Sequence, residues 1–139
     1  MISQNKKIII IASGVNINGT TPVTLGPFQN EDIDLASKQY DTVDYVVNVK
    51  SLTGGNIASI SFQECFNDNS GADVYIETAK ISTAIAAAGV ILVTSKATNR
   101  SGDVGGNPML GEGGTKQIVV TGATGITASN IDIYAVFTN

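Results

Sequence analysis

The chain has 139 residues, a net charge of -4 and only 14% charged residues, with no His, no Trp and one Cys. A chain of this length can bury a core of its own, so a single domain spanning 1–139 is expected. The dispersed Lys and Arg residues argue against nucleic acid as a partner, and the lack of His removes the side chain most used in acid–base catalysis and metal binding.

The first apolar run covers residues 8–12 and consists of four Ile and one Ala. Five residues are too few for a signal-peptide core or a membrane span, so neither a signal peptide nor a membrane partner is predicted. The run instead predicts a strand that is buried on both faces or that offers one face to another subunit. Ile9 and Ile11 are the candidate contact residues on this strand.

Strand signals dominate the chain as β-branched runs separated by Gly, Asn, Asp and Pro. The predicted strands cover residues 8–12, 22–25, 43–52, 57–66, 74–78, 90–95, 116–121 and 131–138. Gly26 and Pro27 are expected to end the second strand, because Pro cannot donate to a ladder and Gly frees the turn.

The clearest alternation lies in residues 43–52, where every second residue from 43 to 49 is apolar. One face of this strand carries Val43, Tyr45, Val47 and Val49. Gly54 and Gly55 follow at once, so residues 43–66 are predicted to form a hairpin. The Ala-rich residues 82–89 predict either one or two helical turns or a loop.

Short strands without a long amphipathic helix predict an all-β fold. We expect an antiparallel, jelly-roll-like β-sandwich of seven or eight strands, since the jelly roll is the common eight-stranded arrangement. The long Gly-rich segment at about 97–115 is expected to be a loop or an arm that folds onto a neighbour. Its candidate contact residues are Gly105, Asn107, Pro108, Met109 and Leu110.

Several short motifs resemble catalytic or ligand-binding sites, but the residues around each motif argue against such a site. The segment 116–128 looks like a dinucleotide-binding strand and glycine loop, yet too few residues follow it for the βαβ unit that such a site needs. Residues 67–71 look like part of a calcium loop, but the first ligand position would be Phe66. Glu64 and Glu77 could pair as catalytic carboxylates, and we expect them to be solvated strand ends instead. The sequence thus predicts no catalytic residue, no cofactor and no metal, and it favours a protein that is not an enzyme.

The chain resembles the small all-β virion proteins of tailed bacteriophages, particularly head decoration or cement proteins. The resemblance is carried by a short charged start leading into residues 8–11, by the Thr, Asn and Gly-rich residues 14–21, and by a final strand that ends at Asn139. The resemblance is one of general sequence character over the whole chain, and no motif is matched residue by residue.

This resemblance implies a structural protein, made in the host cytoplasm, that binds the outer surface of a capsid and stabilises it. The implied partner is the lattice of the major capsid protein, and the implied state is a homo-oligomer, with a trimer favoured because a decoration protein commonly matches the local symmetry. The alternative is a tail-associated or fibre-associated domain that binds a glycan or protein on the host surface.

Overall fold

A computed structural model of the chain describes residues 6–28, 42–67, 73–93 and 116–138. Within these ranges the chain forms strands and no helix, which confirms the all-β prediction. The strands are β1 (Lys6–Val15), β2 (Val23–Phe28), β3 (Thr42–Thr53), β4 (Ile57–Asn67), β5 (Asp73–Ile81), β6 (Gly89–Val93), β7 (Lys116–Gly122) and β8 (Ala128–Thr138).

The eight strands form two four-stranded sheets. Sheet A has the order β1-β8-β3-β6, and sheet B has the order β2-β7-β4-β5. Every neighbouring pair is antiparallel. This order is that of an eight-stranded jelly roll, in which consecutive strands alternate between the sheets at both ends of the chain. The sandwich prediction is therefore confirmed.

The core lies between the two sheets and is built from the inward residues of alternating strands. Tyr45 on β3 and Phe62 on β4 stack across the gap, with ring centroids 4.2 Å apart and ring planes inclined by 23°. Both side chains are buried, and the offset stacking of two aromatic rings adds to the free energy gained from burying their area. The same core contains fully buried Ile residues, among them Ile17, Ile57, Ile60, Ile118, Ile131 and Ile133.

The predicted hairpin over residues 43–66 is wrong, because β3 lies in sheet A and β4 lies in sheet B. Each strand has one apolar face, and a sandwich buries both of these faces by placing the strands opposite each other. The connecting turn packs against residues 123–127: Thr127 N–H donates to Thr53 O at 2.9 Å, and Ala123 N–H donates to Asn56 O at 2.9 Å. A Cβ added at Gly55 would lie 2.6 Å from the backbone nitrogen of Ile126. The glycine is therefore required for this close approach.

Two local expectations also need correction. Gly26 and Pro27 do not end β2, which continues to Phe28 after a shift of register between Leu25 and Phe28. This position is an edge of sheet B, where Pro is tolerated because its missing donor is not needed.

Of the two possibilities for residues 82–89, the loop is correct for residues 82–88, and β6 begins at Gly89. Ile85 fixes this loop to the start of β4, since the backbone of Ile85 and that of Ile57 exchange hydrogen bonds of 2.8 and 3.0 Å. The Ile85 side chain joins the core.

Candidate interaction surface

The outward face of sheet A carries a continuous row of apolar side chains, one from each of its four strands. Ile10 pairs with Tyr134, Tyr134 pairs with Val46, and Val46 pairs with Leu92. We call these four residues the apolar row. Directly paired residues point to the same side of a sheet, so the row crosses the whole sheet over roughly 14 Å, three strand spacings.

Further apolar side chains widen this row. Ile8 and Val136 are paired next to it, and Val90 lies on its other side, two residues before Leu92. The side chains at the ends of the face are open to solvent: relative exposure is 58% for Ile8, 51% for Ile10, 67% for Val90 and 63% for Leu92. Exposed apolar side chains scattered singly are ordinary, but a contiguous set on one face marks an interaction surface.

One edge of this surface is bounded by an ion pair. Lys50 Nζ on β3 lies 2.6 Å from Asp132 Oδ2 on β8. The other carboxylate oxygen of Asp132 accepts hydrogen bonds from Gly14 N–H at 2.9 Å and from Ser13 Oγ at 3.2 Å. The carboxylate thereby joins β1, β3 and β8 at the point where β1 changes register.

These contacts shift the titration of both charged groups. The hydrogen bond from Lys50, followed by that from Gly14 N–H, lowers the pKa of Asp132 below its ordinary value. The same hydrogen bond, reinforced by the charge of Asp132, raises the pKa of Lys50. Each group favours the charged form of the other, so the pair stays ionised near neutral pH.

The outward face of sheet B is chemically different. Apart from Val119, its central side chains are polar, and several hydrogen-bond one another: Gln117 Nε2 donates to Gln63 Oε1 at 2.6 Å, and Gln63 Nε2 donates to Ser61 Oγ at 3.0 Å. Ser61 in turn donates to the carboxylate of Glu77. Thr24 is exposed on the same face, and Thr121 is half-buried there. The two broad faces of the sandwich therefore offer different surfaces to a partner.

A pair of opposite charges lies inside the sandwich. Lys116 Nζ on β7 is 3.2 Å from Glu64 Oε1 on the neighbouring β4, and each side chain is only 1% exposed. The Lys116 ammonium also lies 6.0 Å from the centre of the Phe137 ring. Tyr45 is buried nearby, and its hydroxyl has no hydrogen-bond partner among the described residues. Burial, with a smaller contribution from the Glu64 carboxylate, raises the pKa of the Tyr45 phenol.

Glu64 and Glu77, the two acidic residues considered as a catalytic pair, occupy different environments. Glu64 is buried with Lys116, whereas Glu77 faces outward and contacts Ser61. The two carboxylates therefore lie on opposite faces of sheet B and do not meet as a catalytic pair. The expectation of a solvated strand end was wrong for Glu64.

The predicted contact residues of β1 are placed on the inner side. Ile9 and Ile11 are half-buried and pack against the core, so the outward face of this strand is carried by Ile8 and Ile10. Four consecutive Ile residues gave no alternation from which the outward pair could be chosen. The predicted contact residues Gly105, Asn107, Pro108, Met109 and Leu110, like the central residues of the rejected calcium loop, lie outside the described residues.

The segment 116–128, which looks like a dinucleotide-binding motif, forms β7, a turn and the start of β8. β7 is followed by a turn and then by β8, a strand of the other sheet, so no helix opens after the glycines. In the four described ranges, no three His, Cys, Asp or Glu side chains come together to hold a metal ion. The same ranges contain no helix with the length and apolar character needed to cross a membrane.

Comparison with known proteins gives little further information. No protein-family model matches the chain, and no curated protein matches it. A solved structure titled "nora virus structure" is similar over the whole of this chain, with a TM-score of 0.33 and 12% sequence identity. The chain spans 61% of the length of that protein. A likeness of this degree carries no argument about function.

Proposed function

We propose that this chain is a non-enzymatic virion structural protein, and specifically a decoration protein that docks the outward face of sheet A onto the outer surface of a bacteriophage capsid. The observation that carries the proposal is the difference between the two broad faces of the sandwich. One face presents the apolar row, and the other presents polar side chains that hydrogen-bond one another.

The apolar row has the composition of the centre of a protein interface. Its aromatic member, Tyr134, lies between aliphatic side chains, and charged residues flank the row: Asp44 lies beside it, opposite Val136, and the ion pair of Lys50 with Asp132 lies at the border of the face. Interfaces commonly combine an apolar centre that excludes water with a polar rim. Docking this face would bury Ile10 and Leu92 and would leave Lys50 paired with Asp132.

The polar face suits the side that remains in solvent. Gln63, Gln117 and Ser61 already donate to or accept from one another, so this face needs no partner to satisfy its side chains. A protein with one docking face and one solvent face can cover a surface without linking two surfaces together. Repetition of the same contact over a lattice raises the total affinity even where each contact is weak.

The capsid as the partner is supported by the resemblance of the sequence to decoration proteins. The fold alone does not select it, because jelly rolls occur in proteins with unrelated functions. The proposed partner is therefore a protein lattice whose surface offers apolar side chains to sheet A.

Sedimentation of the purified chain with capsids that lack decoration protein tests this proposal. Wild-type protein is expected to sediment with the capsids. Ile8→Asp and Ile10→Asp should each reduce binding by at least tenfold, since they place a charge on the docking face at a site that is solvent-exposed in the free protein. Thr24→Asp, which adds the same charge to the polar face, serves as the matched control and should bind as wild type does.

Two results would contradict the proposal. Wild-type protein that stays in the supernatant would remove the capsid as partner. Equal loss of binding in Thr24→Asp and Ile10→Asp would show that sheet A is not the docking face.

The second candidate function is a tail or fibre domain that binds the host surface. It is favoured by the hydrogen-bonding side chains of the sheet B face, since such side chains can exchange their partners for sugar hydroxyls. Binding of the purified chain to intact host cells, reduced by Gln63→Ala but not by Ile10→Asp, would favour this function over decoration.

A further inference from the structure

Within the part of the chain that the structure describes, each sheet of the sandwich ends in two edge strands, and these four edges differ in how they are protected. Sheet A ends in β1 and β6, and sheet B ends in β2 and β5. An edge strand exposes unpaired backbone donors and acceptors, which pair with a strand from another chain unless the sequence prevents it. The usual preventive features are charged side chains, Pro and β-bulges.

Three of the four edges carry such features. β1 begins with Lys6 and Lys7 and changes register twice. β2 contains Pro27 and changes register before Phe28. β5 carries charged residues and a bulge. Its residues Ala79 and Glu77 pair with the consecutive residues Phe62 and Gln63 of β4, so Thr78 is the extra residue of the bulge. A regular added strand is disfavoured at all three.

β6 has none of these features. Its sequence is Gly-Val-Ile-Leu-Val, with no charged residue and no Pro. It pairs with β3 over five consecutive positions without a register shift, from Val49 opposite Gly89 to Tyr45 opposite Val93. Among the described strands, β3 is its ladder partner, so its other edge is turned away from the sheet. Val90 and Leu92 are the most exposed large apolar side chains among the described residues.

We propose that the edge of β6 that has no ladder partner among the described residues pairs with β6 of a second copy of this chain. In an antiparallel arrangement centred on Ile91, each Val90 faces Leu92 of the other copy on the outward side, and Ile91 faces its own equivalent. Val90, Ile91 and Leu92 then each meet an apolar side chain, and the interface is the same patch on both copies, as two-fold symmetry requires. A different partner protein would need to bring such a strand, whereas a second copy always has one.

The pairing has a structural consequence for sheet A. Two four-stranded sheets become one eight-stranded sheet, and Leu92 at the end of each apolar row pairs with Val90 of the other copy, so the two rows lie side by side with an offset of two residues. The outward apolar face is thereby doubled in width. A dimer with two such faces side by side gains affinity for a repeating surface, which is the kind of partner proposed above.

Solution mass from light scattering or sedimentation equilibrium tests the pairing. Wild-type protein is expected to reach twice the chain mass of 14.3 kDa as its concentration rises. The double variant Val90→Lys/Leu92→Lys places Lys opposite Lys at both outward pairs and should remain at the mass of one chain, since directly opposed like charges destabilise a ladder. Thr24→Lys/Thr121→Lys makes the same charge change on sheet B and should behave as wild type does.

A second measurement does not depend on a variant. Hydrogen exchange of the amides of residues 89–93 in wild-type protein should slow as the concentration rises, while that of β1 should not change. A monomeric wild-type protein, a trimer whose mass the Lys variant does not change, or exchange in β6 that is independent of concentration would each overturn the proposal. Ile10→Asp should leave the dimer intact, so failure of capsid docking and failure of the β6 pairing are separate results.

Discussion

The rings of Tyr45 and Phe62 stack at 4.2 Å across the interior, although their strands belong to different sheets and are joined by a short turn. This contact fixes the relation between β3 and β4: the chain leaves sheet A after Thr53 and enters sheet B at Ile57. The Tyr45 hydroxyl, at the end of its ring, is buried without a hydrogen-bond partner among the described residues.

Tyr45→Phe is expected to stabilise the protein by about 1 kcal/mol, because it removes a buried hydroxyl that gains no hydrogen bond in the fold and retains the ring stacking. Urea unfolding of both proteins, compared through the midpoint at an unchanged slope, measures the effect. The control is Tyr134→Phe on the outward face, where water reaches the side chain and little change is expected. A loss of stability in Tyr45→Phe would mean that the hydroxyl does have a partner.

The strands could be predicted from the sequence because each is a local run of β-branched residues, continuous or alternating with polar ones, and Gly, Asn, Asp or Pro separates most of these runs. Their pairing could not. β3 pairs with β8, joining Tyr45 to Ala135, and no local pattern reports a contact between residues so distant along the chain. Two consecutive strands with Gly residues between them suggested a hairpin for 43–66. The two strands instead lie in different sheets, because this arrangement buries their apolar faces against each other.

The candidate surface was predictable only in part. The run containing Ile8 and Ile10 was identified as a contact strand, but the outward pair could not be chosen where all four residues are Ile. The apolar row could not be predicted at all, since its members come from four strands and meet only through the register of sheet A.

The buried ion pair did leave a signal that a stricter use of alternation would have found. Glu64 follows Ile60 and Phe62 at a period of two, and Lys116 precedes Ile118 and Val120 in the same way. Each charge thus occupies an inward position, and opposite charges at inward positions of two strands indicate a pair. The polar sequence of residues 67–73, which Glu64 and Glu77 flank, suggested a strand end instead.

Glu64→Leu and Lys116→Met are each expected to destabilise the protein by about 3–5 kcal/mol, because each leaves the other charge buried without its opposite. The double variant Glu64→Leu/Lys116→Met should recover most of this loss, since it removes both charges from the apolar interior. Urea unfolding of all four proteins gives the coupling free energy. Losses that simply add in a double variant would show that the two side chains do not stabilise each other.

Gly55→Ala is expected to destabilise the fold by about 1–3 kcal/mol, since the new methyl group must displace the backbone at Ile126. The turn between β3 and β4 and the turn between β7 and β8 would move apart. Thr53→Ala, at an exposed neighbouring position, is the control and should change the free energy of unfolding by less than about 0.5 kcal/mol. Equal stability of Gly55→Ala and wild type would show that the two turns are not tightly packed.

Asp132→Asn is expected to destabilise the protein at neutral pH and to have less effect in acid. The pKa of Asp132 is lowered in the fold, first by Lys50 and then by Gly14 N–H, from an ordinary value of 3.8. Because the pKa is lower in the folded state, the carboxylate stabilises the fold at pH values above its unfolded-state pKa. This contribution is lost as the pH falls through the folded-state pKa. The difference between wild type and Asp132→Asn should therefore shrink as the pH falls below about 4.

Unfolding by urea at a series of pH values measures this difference directly. Lys50→Gln provides the matched variant: it removes the first cause of the pKa shift and leaves the hydrogen bonds from Gly14 and Ser13 to Asp132. Its destabilisation should therefore be smaller than that of Asp132→Asn, and it should weaken in added salt because Lys50 is exposed. If the stability difference between wild type and Asp132→Asn stayed constant down to acid pH, the charge of Asp132 would not be what holds β1 to the centre of sheet A.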